Sequence, residues 1–132
     1  MVLCDTDIFI EAFKNNTVAT DLLRRIAFPN IALSAITQME LYFGALNKKE
    51  LSKIKSRLQT LEVVDLNKEI TGTAVNLIEK YAKSHSLHIP DALIASTAIC
   101  RDIELLTFNL KDFKFIKGIR LYPNNTPTKR LP

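Results

Sequence analysis

Short apolar runs alternate with helical faces along this chain. Val2-Leu3-Cys4, stopped by Asp5, reads as a buried parallel strand. Ala19, Leu22, Leu23 and Ile26 fall at i, i+3, i+4 and i+7, the stripe of an amphipathic helix, and Phe28-Pro29-Asn30 ends it. Residues 31–36 predict a second buried strand, with Met39, Tyr42, Phe43 and Leu46 forming a helical face directly after it. Leu51, Ile54, Leu58 and Leu61 mark a further helix whose opposite side carries Lys49, Lys53 and Arg57 as a basic stripe. Residues 62–66 read as a short strand, and Ala74, Leu77, Ile78 and Tyr81 as a long helix closing near residues 84–86. Pro90 suits the first position of another helix, where its missing N–H costs nothing. Residues 103–107 predict a fourth strand and residues 119–122 a fifth.

Strands separated by helices predict an α/β fold, a three-layer α/β/α arrangement around a mainly parallel sheet of about five strands. Residues 1–122 are expected to form one domain. Residues 123–132, which hold three of the five prolines, are expected to form a loose tail. Right-handed crossovers bring the carboxyl ends of the strands to one edge, where open sheets bind ligands at a topological switch point.

Composition narrows the classes. A chain of 132 residues, 47% hydrophobic and 24% charged, buries roughly two thirds of its unfolded surface and needs neither disulfides nor a structural metal to fold. No apolar run approaches the roughly 18 residues of a membrane span, and the first residues lack the basic and long apolar regions of a signal peptide. The cytoplasm is therefore the expected compartment, with no membrane partner. Cys4 and Cys100 lack metal-ligand spacing and read as small buried hydrophobes. His85 and His88 follow the end of the long helix, where histidine is ordinary surface chemistry. The net charge of +4 is uneven: residues 1–112 carry 13 basic and 14 acidic side chains, whereas residues 113–132 carry five basic ones (Lys114, Lys117, Arg120, Lys129, Arg130) and no acid.

The acids are the informative residues. Asp5 and Asp7 follow the first strand, and Glu40 lies shortly after the second. Asp91 opens a helix, and Thr107, Asn109 and Asp112 follow the fourth strand. Each has a local explanation: Asp5 and Asp7 as helix caps, Thr37 and Glu40 as a capping box, Asp91 as a complement to a helix dipole, Asp112 as a turn residue. Together they point elsewhere. Carboxylates converging in one cleft repel unless cations neutralise them, and hard divalent ions prefer such oxygen ligands. Gly44 within a helical pattern suggests close packing, and Ala92, Ala95 and Ala98 offer the sheet a small-residue face.

Four stretches also resemble the PIN-domain family, specifically its VapC-type toxins, in order and over nearly the whole chain. They are Leu3-Cys-Asp5-Thr-Asp-Ile-Phe-Ile10; Ser34-Ala-Ile-Thr-Gln-Met-Glu40-Leu-Tyr-Phe-Gly44, similar to the family's E-L-x-x-G; Ile89-Pro-Asp91-Ala-Leu-Ile-Ala95, similar to D-A-L-I-A; and Leu106-Thr107-Phe-Asn109-Leu-Lys-Asp112-Phe113. The resemblance implies a metal-dependent endoribonuclease. Asp5, Glu40, Asp91 and Thr107 would be its catalytic residues, and Asp5, Glu40 and Asp91, with Asn109 and Asp112, would hold Mg²⁺ or Mn²⁺. Asn109 stands where many members place a fourth acid. Lys49, Lys53 and Arg57, or Lys111, Lys114 and Lys117, are candidates for RNA backbone contacts. A homodimer and a cognate antitoxin that inserts a segment near the site are also implied. One rival is an idle module that binds RNA or protein. Another is a haloacid-dehalogenase-like phosphatase, whose D-x-D resembles Asp5-Thr-Asp7 but whose following Thr or Val is replaced by Phe9.

Overall fold

The computed structural model describes residues 1–124. Four parallel strands, β1 (Val2–Cys4), β2 (Ile31–Ser34), β3 (Glu62–Val64) and β4 (Glu104–Leu106), are joined through six helices. These are α1 (Thr6–Phe13), α2 (Thr17–Ile26), α3 (Ala35–Phe43), α4 (Lys48–Leu58), α5 (Lys68–His85) and α6 (Ile89–Arg101). The strand order is β3-β2-β1-β4. Val2 pairs with Ile31 on one side and Glu104 on the other, and Leu3 with Ala32 and Leu105. The chain steps outward from β1 to β3 and then returns to the opposite side of β1 for β4. The winding thus reverses between β1 and β4, where a parallel sheet opens a crevice beyond its carboxyl ends.

Alternation along the strands separates two cores. Leu3, Ala32 and Leu105 face α5 and α6, packing with Ile70, Tyr81, Ile94 and Ala95. Cys4, Leu33 and Leu106 face α1 to α4, packing with Phe9, Leu22, Leu41 and Ile54. Burial on both faces explains why β1 and β2 read as uninterrupted apolar runs. Ala92, Ala95 and Ala98 are all buried in the first core, so the small face of α6 is used as expected.

The structure departs from the sequence expectations at four points. The expected fifth strand is a single bridge between Leu121 and Leu105, flanked by hydrogen bonds from Leu105 N–H to Arg120 O and from Tyr122 N–H to Leu105 O, each 2.8 Å. Gly118, at φ +93, turns the chain just before it, and Pro123 offers no N–H after it, so the sheet has four strands. The second strand stops at Ser34, because that side chain caps α3 by accepting from Ile36 N–H at 3.2 Å. The Thr37–Glu40 capping box is consequently absent. Of the expected face, Met39 and Phe43 are turned outward at 51% and 93% exposure, Leu46 lies past the helix end at 85%, and Tyr42 is half-buried against the second core, while Thr37 and Leu41 point inward. Gly44 caps α3 at φ −78, and a Cβ there would meet only the carbonyls of Glu40 and Leu41, so it marks a helix end rather than a close approach.

The expected tail at 123–132 lies outside the described residues except for Pro123 and Asn124, and Asn124 Nδ2 donates to Thr107 O at 3.3 Å. Among the described residues no helix is long and apolar enough to cross a membrane.

The packing of α6 on the sheet makes a direct prediction. Ala95→Leu adds volume where Ala95 is 0% exposed and is expected to cost about 1–3 kcal/mol in urea denaturation. The control Val75→Ala, at a position 61% exposed, should stay within about 0.5 kcal/mol of the parent. A fully stable Ala95→Leu would contradict this packing.

Candidate active site

At the switch point, β1 and β4 each end in a residue that reaches across the crevice. Asp5 directly follows β1, continues its ladder through a 2.9 Å hydrogen bond from its N–H to Leu106 O, and caps α1. Its Oδ1 accepts from Thr6 N–H at 2.7 Å and its Oδ2 from the Thr107 hydroxyl at 2.7 Å. Asp5 and Thr107 are both buried. Because α3 starts immediately after β2, it carries Glu40 back over the first turn of α1, where Glu40 Oε1 accepts from the Thr6 hydroxyl at 2.6 Å. That hydroxyl also lies 3.0 Å from the Thr37 hydroxyl. Asp91 stands in the first turn of α6 and Asp112 closes a 3-10 turn over Leu110–Asp112.

The electrostatics show how these acids sense one another. Burial pushes the Asp5 carboxyl up to about 6; hydrogen bonds from Thr107 and Thr6 oppose this, and Glu40 and Asp112 reinforce it. Burial likewise takes Asp91 to about 6, with Asp5, Asp112 and Glu40 adding repulsion and His88 alone acting in the other direction. Asp7 rises to about 8, first by burial and then by the charge of Asp5. No lysine or arginine figures among the charges acting on the three. Among the described residues the structure therefore gathers these carboxylates with His88 beside Asp91 and no lysine or arginine among the charges that shift them.

The donor set suits a hard divalent ion: carboxylate oxygens, mutually repelling, with hydroxyls interleaved. As the side chains stand, no three acidic, histidine or cysteine groups among the described residues are posed to hold one ion together. Asp5 is turned to Thr6 N–H and the Thr107 hydroxyl, and Glu40 to the Thr6 hydroxyl, and each of these bonds takes one of its oxygen's two acceptor positions, leaving the other for an ion. Asp91 and Asp112 make no side-chain hydrogen bonds among the described residues and are free to reorient. The thiol of Cys4 is fully buried, and burial followed by the charges of Asp5 and Asp7 pushes its pKa far up, which leaves no thiolate nucleophile.

Asp5, Glu40, Asp91, Thr107 and Asp112 thus come together around one crevice. Asn109 sits beside it with its amide turned to Asp7: Asn109 Nδ2 donates to Asp7 Oδ2 at 3.1 Å, and Phe108 N–H donates to the same oxygen at 3.2 Å. The basic stripe of α4 divides. Lys53 and Arg57 border a cleft of about 500 Å³ that reaches Glu40, with Arg57 stacked 5.1 Å above the Phe13 ring, whereas Lys49 is exposed outside that lining. Lys111 and Lys114 are exposed on the segment leaving the crevice. His85 and His88 are both exposed, as expected; His85 lies flat on Phe115 at 4.3 Å, and the charge of His88 acts on Asp91.

Sequence reasoning gave Thr6 no role and, although Asp7 stood in the acidic series, left it out of the catalytic and metal-binding sets. Their signal was the run Asp5-Thr6-Asp7 at a strand exit: a helix starting at Thr6 places the next residues in its first turn beside the crevice.

The comparisons with known proteins fall on the same ground. Ribonuclease VapC3 of Methanocaldococcus jannaschii is 36% identical over 92 residues, spanning 70% of this chain and 92% of that one. Ribonuclease VapC10 of Mycobacterium tuberculosis is 28% identical over 123 residues, 91% of each chain. The crystal structure of VapBC2 from Rickettsia felis, bound to a DNA fragment from its promoter, superposes with a TM-score of 0.79 at 30% identity, covering 92% of this chain and 98% of that one. The PIN domain model matches residues 2–118, an interval that contains every acid of the crevice, and this chain belongs to the PIN-domain family.

Proposed function

We propose that this chain is an endoribonuclease dependent on Mg²⁺, or Mn²⁺ in its place, and the toxin of a toxin–antitoxin pair. The observation that carries the reading is the convergence of Asp5, Glu40, Asp91 and Asp112 on the β1/β4 crevice, where Asp5 and Asp91 feel the other acids and, among the described residues, no lysine or arginine is among the charges that shift them. Asp5, Glu40 and Asp91 are the residues assigned to hold the metal, with Asp112 supplying the further acid. When bound, a divalent ion acidifies water and stabilises the charge that develops on a scissile phosphodiester. Asp5 contributes a carboxylate fixed from both sides, and the Thr107 hydroxyl holds its orientation. The Thr6 hydroxyl holds the Glu40 carboxylate over the first turn of α1. Lys53 and Arg57 on one side, and Lys111 and Lys114 on the other, offer positive charge to the RNA backbone, while Lys49 lies farther out.

Partner proteins have a physical rationale. Ile10, Leu46 and Ile54 line the cleft beside Glu40, and Phe43 stands 93% exposed at the end of α3. Exposed apolar surface of this kind is what an antitoxin segment or a second copy covers. Similarity to solved toxin–antitoxin assemblies supports the antitoxin as partner. The homodimer and the cytoplasmic setting belong to the same proposal.

The test is cleavage of structured RNAs by purified protein with and without EDTA. Asp5→Asn and Asp91→Asn should each lower the rate by at least about 100-fold, the scale at which single groups stabilising a transition state act. Undiminished cleavage by both variants would reject the assignment. Metal binding without cleavage of any RNA would favour an idle binding module.

Cys4→Ser should keep its activity if folded, because the thiol is protonated and buried. Complete loss in a folded variant would restore the thiol as a candidate nucleophile.

A stability measurement tests the metal without RNA. Asp5, Asp91 and Asp7 retain protons up to about 6, 6 and 8, whereas unfolded aspartates release theirs near 4. Above the unfolded value the folded chain binds more protons than the unfolded one, so metal-free stability falls as pH rises through this window. In EDTA the melting temperature is expected to drop between about pH 5 and about pH 8. A Mg²⁺ concentration of about 100 times the Kd at the higher pH should restore about 2.7 kcal/mol there, and the same concentration less at the lower pH, where protons compete for the ligands. A melting temperature insensitive to Mg²⁺ at both pH values would count against the metal site.

A further inference from the structure

Asn109 stands where an acid would ordinarily add a metal ligand, and its hydrogen bonds give it another task. We propose that Asp7 and Asn109 form a strut that positions Asp5 through Thr107, with Asn109 outside the set of metal ligands. The proposal rests on the metal-dependent reading above.

Four hydrogen bonds define the strut. Asp7, fixed in the first turn of α1, accepts from Asn109 Nδ2 at 3.1 Å and from Phe108 N–H at 3.2 Å, both on Oδ2. Asn109 N–H then donates to the Thr107 hydroxyl oxygen at 3.0 Å, and that hydroxyl donates to Asp5 Oδ2 at 2.7 Å. A threonine hydroxyl has a single proton. With Asn109 N–H occupying an acceptor position on the oxygen, the proton is directed to Asp5. Phe108, buried in the same core as Leu106, anchors the middle of the loop. The N-terminal turn of α1 therefore controls Asp5 twice, directly as its capping residue and indirectly through the loop after β4.

This accounts for the amide at 109. A second carboxylate there would face that of Asp7 at hydrogen-bond distance, and the two could bond only while one of them kept a proton. Asparagine supplies the donor that the acceptor on α1 needs. Asp7 is the acid and Asn109 the amide of one pair, and exchanging the two residues should preserve the bond while reversing its direction. A metal-ligand role for Asn109 makes the opposite demand: its contribution should be independent of residue 7.

The experiment is a double-mutant cycle with two readouts, kcat for RNA cleavage and calorimetric Mn²⁺ affinity of the metal-freed protein. Asp7→Ala and Asn109→Ala are each expected to lower kcat or Mn²⁺ affinity by about 10- to 100-fold, the usual effect of removing a group that orients a metal ligand. The double variant should be no worse than the poorer single one, because both remove the same strut. The reciprocal pair Asp7→Asn with Asn109→Asp keeps net charge and should recover to within about threefold of the parent, a rescue that loss of general stability would not produce. Independent effects that multiply in the double variant, or an Asp7→Ala protein with parental kcat and Mn²⁺ affinity, would overturn the strut. If the alanine variants fail to fold, Asp7→Asn and Asn109→Asp, alone and together, decide: losses in the single variants that the pair recovers support the strut, and an effect of Asn109→Asp on Mn²⁺ affinity that is the same whichever residue stands at 7 overturns it. Because Mn²⁺ titration requires no RNA, failure of the endoribonuclease reading would show as absent cleavage by the parent while the cycle still reports on the strut.

Discussion

Like charges held in a partly buried crevice repel one another, and the fold is organised to hold them there. Burial alone raises Asp5, Asp7 and Asp91, and each also feels another acid. Such an arrangement costs stability in the isolated chain, so the surrounding structure must supply rigidity. Parallel strands supply it first. Asp5 sits one residue beyond a strand paired on both sides, and its N–H still belongs to the ladder with β4. Hydroxyls supply it next: Thr6 and Thr107 donate to carboxylates without adding a competing charge. A lysine in their place would neutralise the acids permanently and remove the reason for a divalent ion to bind.

The key contact links residues far apart in the chain. Thr107 reaches Asp5 across a separation of 102 residues, and Phe108 reaches Asp7 across 101. Such contacts form only once β4 has returned beside β1, which is the last strand addition in the sheet order. The chemistry is therefore assembled by completion of the sheet and not by any local motif. The winding that makes this possible also creates the switch-point crevice, so fold closure and site formation are the same structural event.

This distinction explains what could be read from sequence. β1, α2, α5 and α6 were legible because local periodicity and fold agree there: Leu22 and Ile26, or Leu77 and Tyr81, are apolar because they are buried. The helix α3 misled because its exposed side is as apolar as a core. Met39 and Phe43 obey the helical spacing but face outward, Leu46 lies beyond the end of the helix, and Ser34 is both the last residue of β2 and the cap that starts α3. The acids were legible as a series because each lies near a strand exit or a helix start. Thr6 and Asp7 were not, since their partners are Glu40 in α3 and the loop after β4. Those pairings depend on the order β2-β1-β4, which local periodicity does not specify.

Charge distribution completes the argument. The body of the chain is nearly neutral because its acids and bases cancel in number, but they do not cancel in space: among the described residues no lysine or arginine is among the charges that shift Asp5 and Asp91, while Lys53 and Arg57 border the adjoining cleft. A phosphodiester approaching the metal-free crevice meets repulsion at close range and attraction at the rim. Under the endoribonuclease reading, the rim alone could hold RNA in the neighbourhood but could not seat a phosphate against Asp5. Neutralisation by a divalent ion is then a condition for productive seating as well as for the chemical step. The hydroxyl-braced acids serve that order of events, because they keep the crevice negative and shaped before any ion arrives.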